Sequence, residues 1–304
     1  MQFSKTFVVI LIAAAAIAAQ TVRKPATPVF RTISVISEPG AKVWLDGVYF
    51  GKVSPDGSLV IKTVSTGAHK LRIRLDGYAP KEQVVAATQR GDVTISLAKT
   101  TDKAELAYQE AERLASEDRD KAIAKFKQAI ELRPNFPEAY LAMARVQTEA
   151  DELDEALASI AAARKLRPGF AEASAVEGRV YKELSEETKA IAAFKRAITE
   201  GRGFQPEAYT GLGLLYKEKA ETAEEEEQEP LFAEATKNLK TALKQLSGAP
   251  DAIVIYQLLG LAYERNNRNA EAIAVYEEFL RLFPDTPEAT SVRSFIVQLK
   301  KTEP

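Results

Sequence analysis

The chain has 304 residues, with 41 Lys and Arg against 43 Asp and Glu, 46% hydrophobic residues, no Cys and one His. That composition excludes a polytopic membrane protein, a disordered tail and a collagen-like fibre, and the length suits two modest domains. Without Cys there is no disulfide scaffold, thiol nucleophile, thiolate zinc site or Cys-linked lipid anchor, and one His cannot build a multi-His metal centre. The near-neutral total hides an asymmetry. Residues 20–99 carry a net charge of +6 and residues 100–304 one of −9, so two modules with different surfaces are expected.

Met1 to Thr6 is short and polar, with Lys5 as its cation, and Phe7 to Ala19 is an unbroken run of thirteen apolar residues. A charged start, a short apolar stretch and an Ala16-x-Ala18 end read as a secretory signal peptide over 1–19. A spanning helix needs roughly 20 apolar residues, so cleavage near Ala19 or Gln20 is favoured over a retained membrane anchor. Residues 20–30, with Pro25 and Pro28, read as an extended linker.

Residues 31–99 follow a period of two. Thr32 to Ser37 alternates, Pro39-Gly40 breaks it, and Lys42 to Leu45 resumes. Asp46-Gly47 then separates two apolar runs, the strongest short hairpin signal. Leu59–Val64, Lys70–Leu75, Gln83–Ala86 and Val93–Leu97 complete about seven short strands, expected to be antiparallel and to form a compact sandwich. His69, between a turn glycine and a strand, is expected to fix the strand entry by hydrogen bonding. Trp44 and Tyr49 are more plausible as core or edge cover than as a sugar platform.

On Ser37, Pro39, Gly40, Ala41, Val43, Asp46, Gly47 and Gly51, and on Gly67, His69, Gly77 and Tyr78 in "GAHKLRIRLDGY", this region resembles the PEGA domain family. The Pro-x-Gly-Ala core of that family is contracted here to Pro39-Gly40-Ala41. The resemblance implies an extracytoplasmic β-sandwich, often linked to cell surfaces, with no catalytic residues to carry over.

From residue 103 the period becomes 3.6. Pro137-Glu138-Ala139, Pro206-Glu207-Ala208 and Pro287-Glu288-Ala289 each put Pro at a helix start and Glu in its positive first turn. Ala122, Ala156 and Ala190 recur at 34-residue spacing, each followed four residues on by Phe126, Ile160 or Phe194. Period and pattern resemble the tetratricopeptide repeat, carried best by Tyr140, Met143, Ala144 and Gln147, by Tyr209, Leu212, Gly213 and Tyr216, and by Tyr256, Leu259, Gly260 and Tyr263. About five copies span 103–286, starting near 103, 137, 171, 206 and 253. The fourth carries extra residues around Glu221 to Pro230, read as a solvated extension of two helices rather than a calcium loop. Residues 287–300 read as a capping helix with Val292, Phe295, Ile296 and Leu299 on one face.

The resemblance implies an all-α right-handed solenoid of helix pairs beside the β-sandwich, with the first helices lining a concave groove. In that register Leu141, Arg145, Glu149, Arg179, Lys182, Thr210, Leu214, Lys217, Gln257, Leu261 and Arg265 face the groove. Arg145, Arg179, Lys182 and Lys217 would then form a cationic stripe that favours a carboxylate-bearing segment, unless Glu neighbours pair with them. Reversing Arg145 and Arg179 to Glu is expected to weaken partner binding and leave folding intact. No catalytic, cofactor-binding or metal-binding residue is expected. The sequence holds no G-x-S-x-G, H-E-x-x-H or phosphate-binding loop.

The leading expectation is a non-catalytic, exported bacterial interaction scaffold of the cell envelope, in the periplasm or at the cell surface, with a protein or peptide partner. The alternative is a binder of cell-wall or surface polysaccharide that uses the β-domain, with the repeats as spacer. Nucleic acid is disfavoured by export and by the acidic half. Membrane contact is expected only if the signal segment stays uncleaved.

Overall fold

The computed structural model describes residues 30–246 and 248–302. The expected signal peptide and nearly all of the linker lie outside the described residues. Seven strands come first: β1 (Arg31–Ile36), β2 (Lys42–Leu45), β3 (Val48–Lys52), β4 (Ser58–Val64), β5 (His69–Arg74), β6 (Lys81–Val85) and β7 (Gly91–Thr94). They form a three-stranded sheet in the order β4-β1-β7 and a four-stranded sheet in the order β3-β2-β5-β6. Side chains from alternate positions fill the space between the sheets: Ile33, Val35, Val43, Leu71, Ile73, Val93 and Ile95 are all at most 4% exposed. One pairing departs from the antiparallel expectation. β7 lies parallel to β1, on the side opposite β4, and is reached by a crossover from the second sheet.

The β2–β3 turn shows how locally the fold is specified. Asp46 and Gly47 have φ of 51° and 84°, and Leu45 and Val48 lie directly opposite each other, as a two-residue turn with both φ positive requires. Asp46 also accepts the Lys70 N–H at 2.8 Å and faces His69 Nδ1 at 2.6 Å, while His69 Nε2 lies 3.0 Å from the Ser65 carbonyl oxygen. The histidine thus ties the turn to the start of β5, and both ring nitrogens are engaged.

Eleven helices follow among the described residues: α1 (Lys103–Leu114), α2 (Arg119–Leu132), α3 (Pro137–Glu149), α4 (Leu153–Leu166), α5 (Ala171–Glu183), α6 (Glu187–Glu200), α7 (Pro206–Thr222), α8 (Glu225–Leu246), α9 (Ala252–Arg265), α10 (Asn269–Leu282) and α11 (Glu288–Thr302). They stack as five pairs and a final single helix. The pairs approach closely where a side chain is missing. A Cβ on Gly260 would lie 2.2 Å from the Tyr276 ring, and one on Gly178 would lie 2.5 Å from the ring of Phe194. Among the described residues the helical cores are separate clusters shared between neighbours, one around Phe126, one around Ile160, one around Phe194 and one running from Leu239 to Ile296.

Two details refine the sequence reading. The extra residues of the fourth pair lengthen α7 to 17 residues and α8 to 22, with Glu225, Glu226 and Glu227 in the positive first turn of α8. In α11, Val292 and Ile296 are buried but Phe295 is 40% exposed, at the rim of the packed face, where its ring leans on Tyr276 with centroids 5.9 Å apart.

The joints between pairs carry a repeated clip that the sequence reading missed. Arg133, at the end of α2, lies over the Phe136 ring at 4.4 Å and pairs with Asp102. Arg167, at the end of α4, lies over Phe170 at 4.4 Å and pairs with Glu138. The third joint has Gly201 at the equivalent helix end, so Glu172 at the start of α5 has no such arginine.

Candidate functional site

The first helices of the pairs, α1, α3, α5, α7 and α9, carry the residues expected to line a groove. Leu141 is not among the lining. It is 7% exposed and packs with Ala144, Ile160 and Val176, because the third pair closes over it. Glu149 is exposed, and Leu214, Gln257 and Leu261 are half-buried. The Thr210 hydroxyl donates to the Pro206 carbonyl at 2.9 Å, which anchors it to its own helix. At the far end, Arg265 joins Glu221, Gln228 and Phe232 around a shallow recess of about 340 Å³.

The cationic stripe is largely paired within the chain. Arg145 on α3 donates two hydrogen bonds, of 2.8 and 2.6 Å, to Glu207 on α7, a fork-to-fork pair that reaches past α5. Lys182 pairs with Glu218 at 2.9 Å, Lys217 with Glu221 at 3.0 Å, and Arg265 with the same Glu221 at 3.6 Å. Burial is the largest influence on both members of the Arg145–Glu207 pair and disfavours their charges. The mutual attraction outweighs it, holding Arg145 above its ordinary pKa and Glu207 below its own. Arg145 is therefore part of the frame, and its reversal to Glu would set two carboxylates against each other. That overturns the expectation that this substitution leaves folding intact.

Arg179, on α5, is different. Its Nε and Nη2 atoms are buried and have no hydrogen-bond partner. These two atoms form the edge of the guanidinium that grips a carboxylate or phosphate with two parallel bonds. Glu207 lies within electrostatic range but gives both its oxygens to Arg145.

The β-domain meets the same first helices. Arg74, at the end of β5, donates to Glu105 at 2.9 Å and Glu112 at 3.1 Å on α1, and its guanidinium lies 4.4 Å from the centroid of the Tyr108 ring. Gln109 accepts from the Gly77 N–H at 2.7 Å and donates to the Tyr78 carbonyl at 2.8 Å. The Arg74 and Glu105 side chains are only 12% and 6% exposed, and the acids with the Tyr108 ring push the Arg74 pKa up against the cost of burial. Farther along, a Cβ on Gly47 would lie 4.0 Å from Glu172 of α5. Val48 and Phe50 pack into the cluster that holds Leu246, Ala249 and Ala252, and Phe50 also touches the β-domain's own core. The contacts fall on the first pair and on the joint between the fourth and fifth, with the β2–β3 turn close to the third. Trp44 and Tyr49 are half-buried here, with Arg72 over the Trp44 ring at 4.8 Å, so they form edge cover.

Comparison with known proteins places both regions. The PEGA domain family matches residues 30–101, and tetratricopeptide repeat families match residues 113–180 and 253–293. The chain is a PEGA domain followed by tetratricopeptide repeats. A comparison with curated proteins finds no match. Among solved structures, yeast Tom70 aligns with 67% of this chain and 41% of its own at 19% identity and a TM-score of 0.55. The APC/C hetero-tetramer Cut9–Hcn1 aligns with 66% of this chain and 37% of its own at 16% identity and a TM-score of 0.53. A thermophilic TPR protein of Thermus thermophilus aligns with 65% of this chain and 99% of its own at 20% identity and a TM-score of 0.50. At these identities the likeness is one of fold, and the chain spans about two-fifths of the length of the first two.

The tetratricopeptide repeats suggest a protein-interaction scaffold. Among the described residues, no group of three or more His, Asp or Glu side chains is placed to hold a metal ion, and no helix is long and apolar enough to cross a membrane. The sequence reading missed the seating of the PEGA domain on the repeats. The +6 and −9 charges of the two halves were the available signal, because Arg74 meets Glu105 and Glu112 across that boundary.

Proposed function

We propose that this chain is a non-catalytic, exported scaffold of the cell envelope that takes a carboxylate-bearing protein or peptide segment on the concave face of its repeats. One observation carries the choice of ligand: Arg179 keeps an unpaired gripping edge among cations whose charges are met by Glu207, Glu218 and Glu221. A single bidentate contact gives orientation, and the flanking pairs keep the rest of the groove near neutral. The reading of export rests on the apolar run Phe7–Ala19 and its Ala-rich end. The polysaccharide alternative is the weaker one, because the Trp44–Tyr49 pair is half-buried and Arg72 covers one face of the Trp44 ring.

The test of the groove is Arg179→Glu against wild type, reading captured envelope protein per folded protein at low and moderate salt. Capture should fall, and its salt dependence should flatten, with the circular dichroism spectrum unchanged. Equal capture at both salts rules out the groove as the binding surface. Mass spectrometry of native protein addresses export, with a first residue near Ala19 or Gln20 expected. An intact Met1 in the cytosol would sink that part of the reading.

A further inference from the structure

The PEGA domain meets the repeats at three places along the row of first helices. Arg74 is clamped between Glu105 and Glu112 on α1. The β2–β3 turn lies close to Glu172, at the one of the three equivalent joints without an arginine clip. Val48 and Phe50 close on the loop before α9, where a Cβ on Gly248 would lie 3.9 Å from the Thr63 Cβ. Arg145, Arg179 and Glu207 lie on α3, α5 and α7, between the first and last of these contacts. The bridge is charged at one end and apolar at the other, and no chain break separates the two partners, so it competes with any ligand at high effective concentration.

We propose that the PEGA domain is a built-in gate of the groove: docked from the first pair to the joint between the fourth and fifth, it closes the face that carries Arg179, and a partner segment is admitted only when it swings away. The inference rests on the groove reading above and adds its regulation. Arg74 is the latch, since it reaches from the PEGA domain to two carboxylates of α1. The hairpin is the part that must move past Glu172.

The chain's lack of Cys makes the gate easy to lock. Thr63→Cys with Gly248→Cys places two sulfurs at a Cβ separation suited to a disulfide. Gly248 has a φ of +76°, a strained place for Cys, so a second variant opens the gate instead: Arg74→Glu, with Glu105→Arg as its charge-swap partner. The probe is a fluorescent fifteen-residue Glu-rich peptide, titrated into the full chain at low salt. Arg74→Glu should bind it at least about tenfold more tightly than the oxidised double-Cys chain, and reduction of that chain should restore binding. Adding Glu105→Arg to Arg74→Glu should return affinity to the wild-type value. Equal affinity for locked and open chains overturns the gate while leaving the groove standing. Absence of binding even by the open variant overturns the groove reading and the gate with it. Spin labels on a β6 residue and an α7 residue supply a readout free of any ligand. A distance unchanged between wild type and Arg74→Glu rejects Arg74 as the latch.

Discussion

The PEGA domain and the repeats bury their apolar surface in opposite ways. In the β-domain, strands far apart in sequence close around one cluster, with Ile33 from β1, Leu71 from β5 and Val93 from β7 in mutual support. In the repeats the cores are a series, each formed by helices close in sequence, such as Phe126 with Tyr108 and Phe136. The first design is all-or-none, because no strand pair has a core of its own. The second is nearly additive, because each pair leans mainly on its neighbours. A binding surface on the additive part is free to flex, and a rigid block seated across it at three points would limit that flexing.

Two truncations break this comparison most forcefully. Leu71→Ala in the β-domain and Phe126→Ala in the repeats each remove a fully buried side chain. The costs should be about 2–5 and 3–5 kcal/mol respectively. Their reach should differ. Hydrogen exchange on Leu71→Ala should rise across all seven strands together. On Phe126→Ala it should rise in α1 to α3 and leave α9 and α10 protected. Uniform loss of protection along the repeats in the second variant would refute the additive picture.

The two regions were also unequally legible in the sequence. The period of two, the Asp46-Gly47 turn and the 34-residue recurrence of Ala122, Ala156 and Ala190 are local signals, and each reads directly as strand, hairpin or helix pair. The groove was legible only in part. A helical register assigns a side chain to a face but not to a partner. Leu141 was assigned to the groove yet lies under the third pair, and Arg145, read as open or paired to a Glu neighbour, pairs with Glu207 sixty-two residues away. The parallel β1–β7 pairing and the Arg74 contacts are likewise non-local, and no short window of sequence contains both partners.

The Arg145–Glu207 pair sharpens the comparison inside the repeats, because it couples the second and fourth pairs directly. Glu207→Gln should cost about 1 kcal/mol at neutral pH, a modest value because roughly a third of each side chain stays wetted. Its folded pKa is lowered, so this stabilisation is complete above the ordinary carboxylate value of 4.5 and is lost as pH falls through the lowered one. Thermal midpoints of wild type and Glu207→Gln should therefore differ at pH 7 and converge in acid. A gap that persists in acid would mean that shape, not charge, holds the two helices.

The smallest effect concerns the far end of the bridge and has the opposite sign. Asp251 precedes α9 and makes no capping hydrogen bond with its side chain. Burial and then the Glu207 charge raise its pKa, and its own charge, after burial, raises that of Tyr49 on the PEGA domain. A carboxyl with a raised folded pKa stabilises the fold fully below its unfolded value of 3.8, and this contribution is lost as pH rises through the raised value. At pH 7 the ionised Asp251 is thus a small burden. Asp251→Asn should raise stability there by about 0.5 kcal/mol, a small gain because part of the residue stays exposed and its charge is partly screened. Below pH 3.8 the gain should vanish, because both chains are then neutral at this position. The gain should also shrink in the Arg74→Glu background, where the PEGA domain no longer keeps water from Asp251. Chemical unfolding at pH 7 and pH 3.5, with and without Arg74→Glu, measures all four values. A gain equal in both backgrounds would place the burden on Glu207 and α9 alone, with the PEGA domain only a bystander at this end of the bridge.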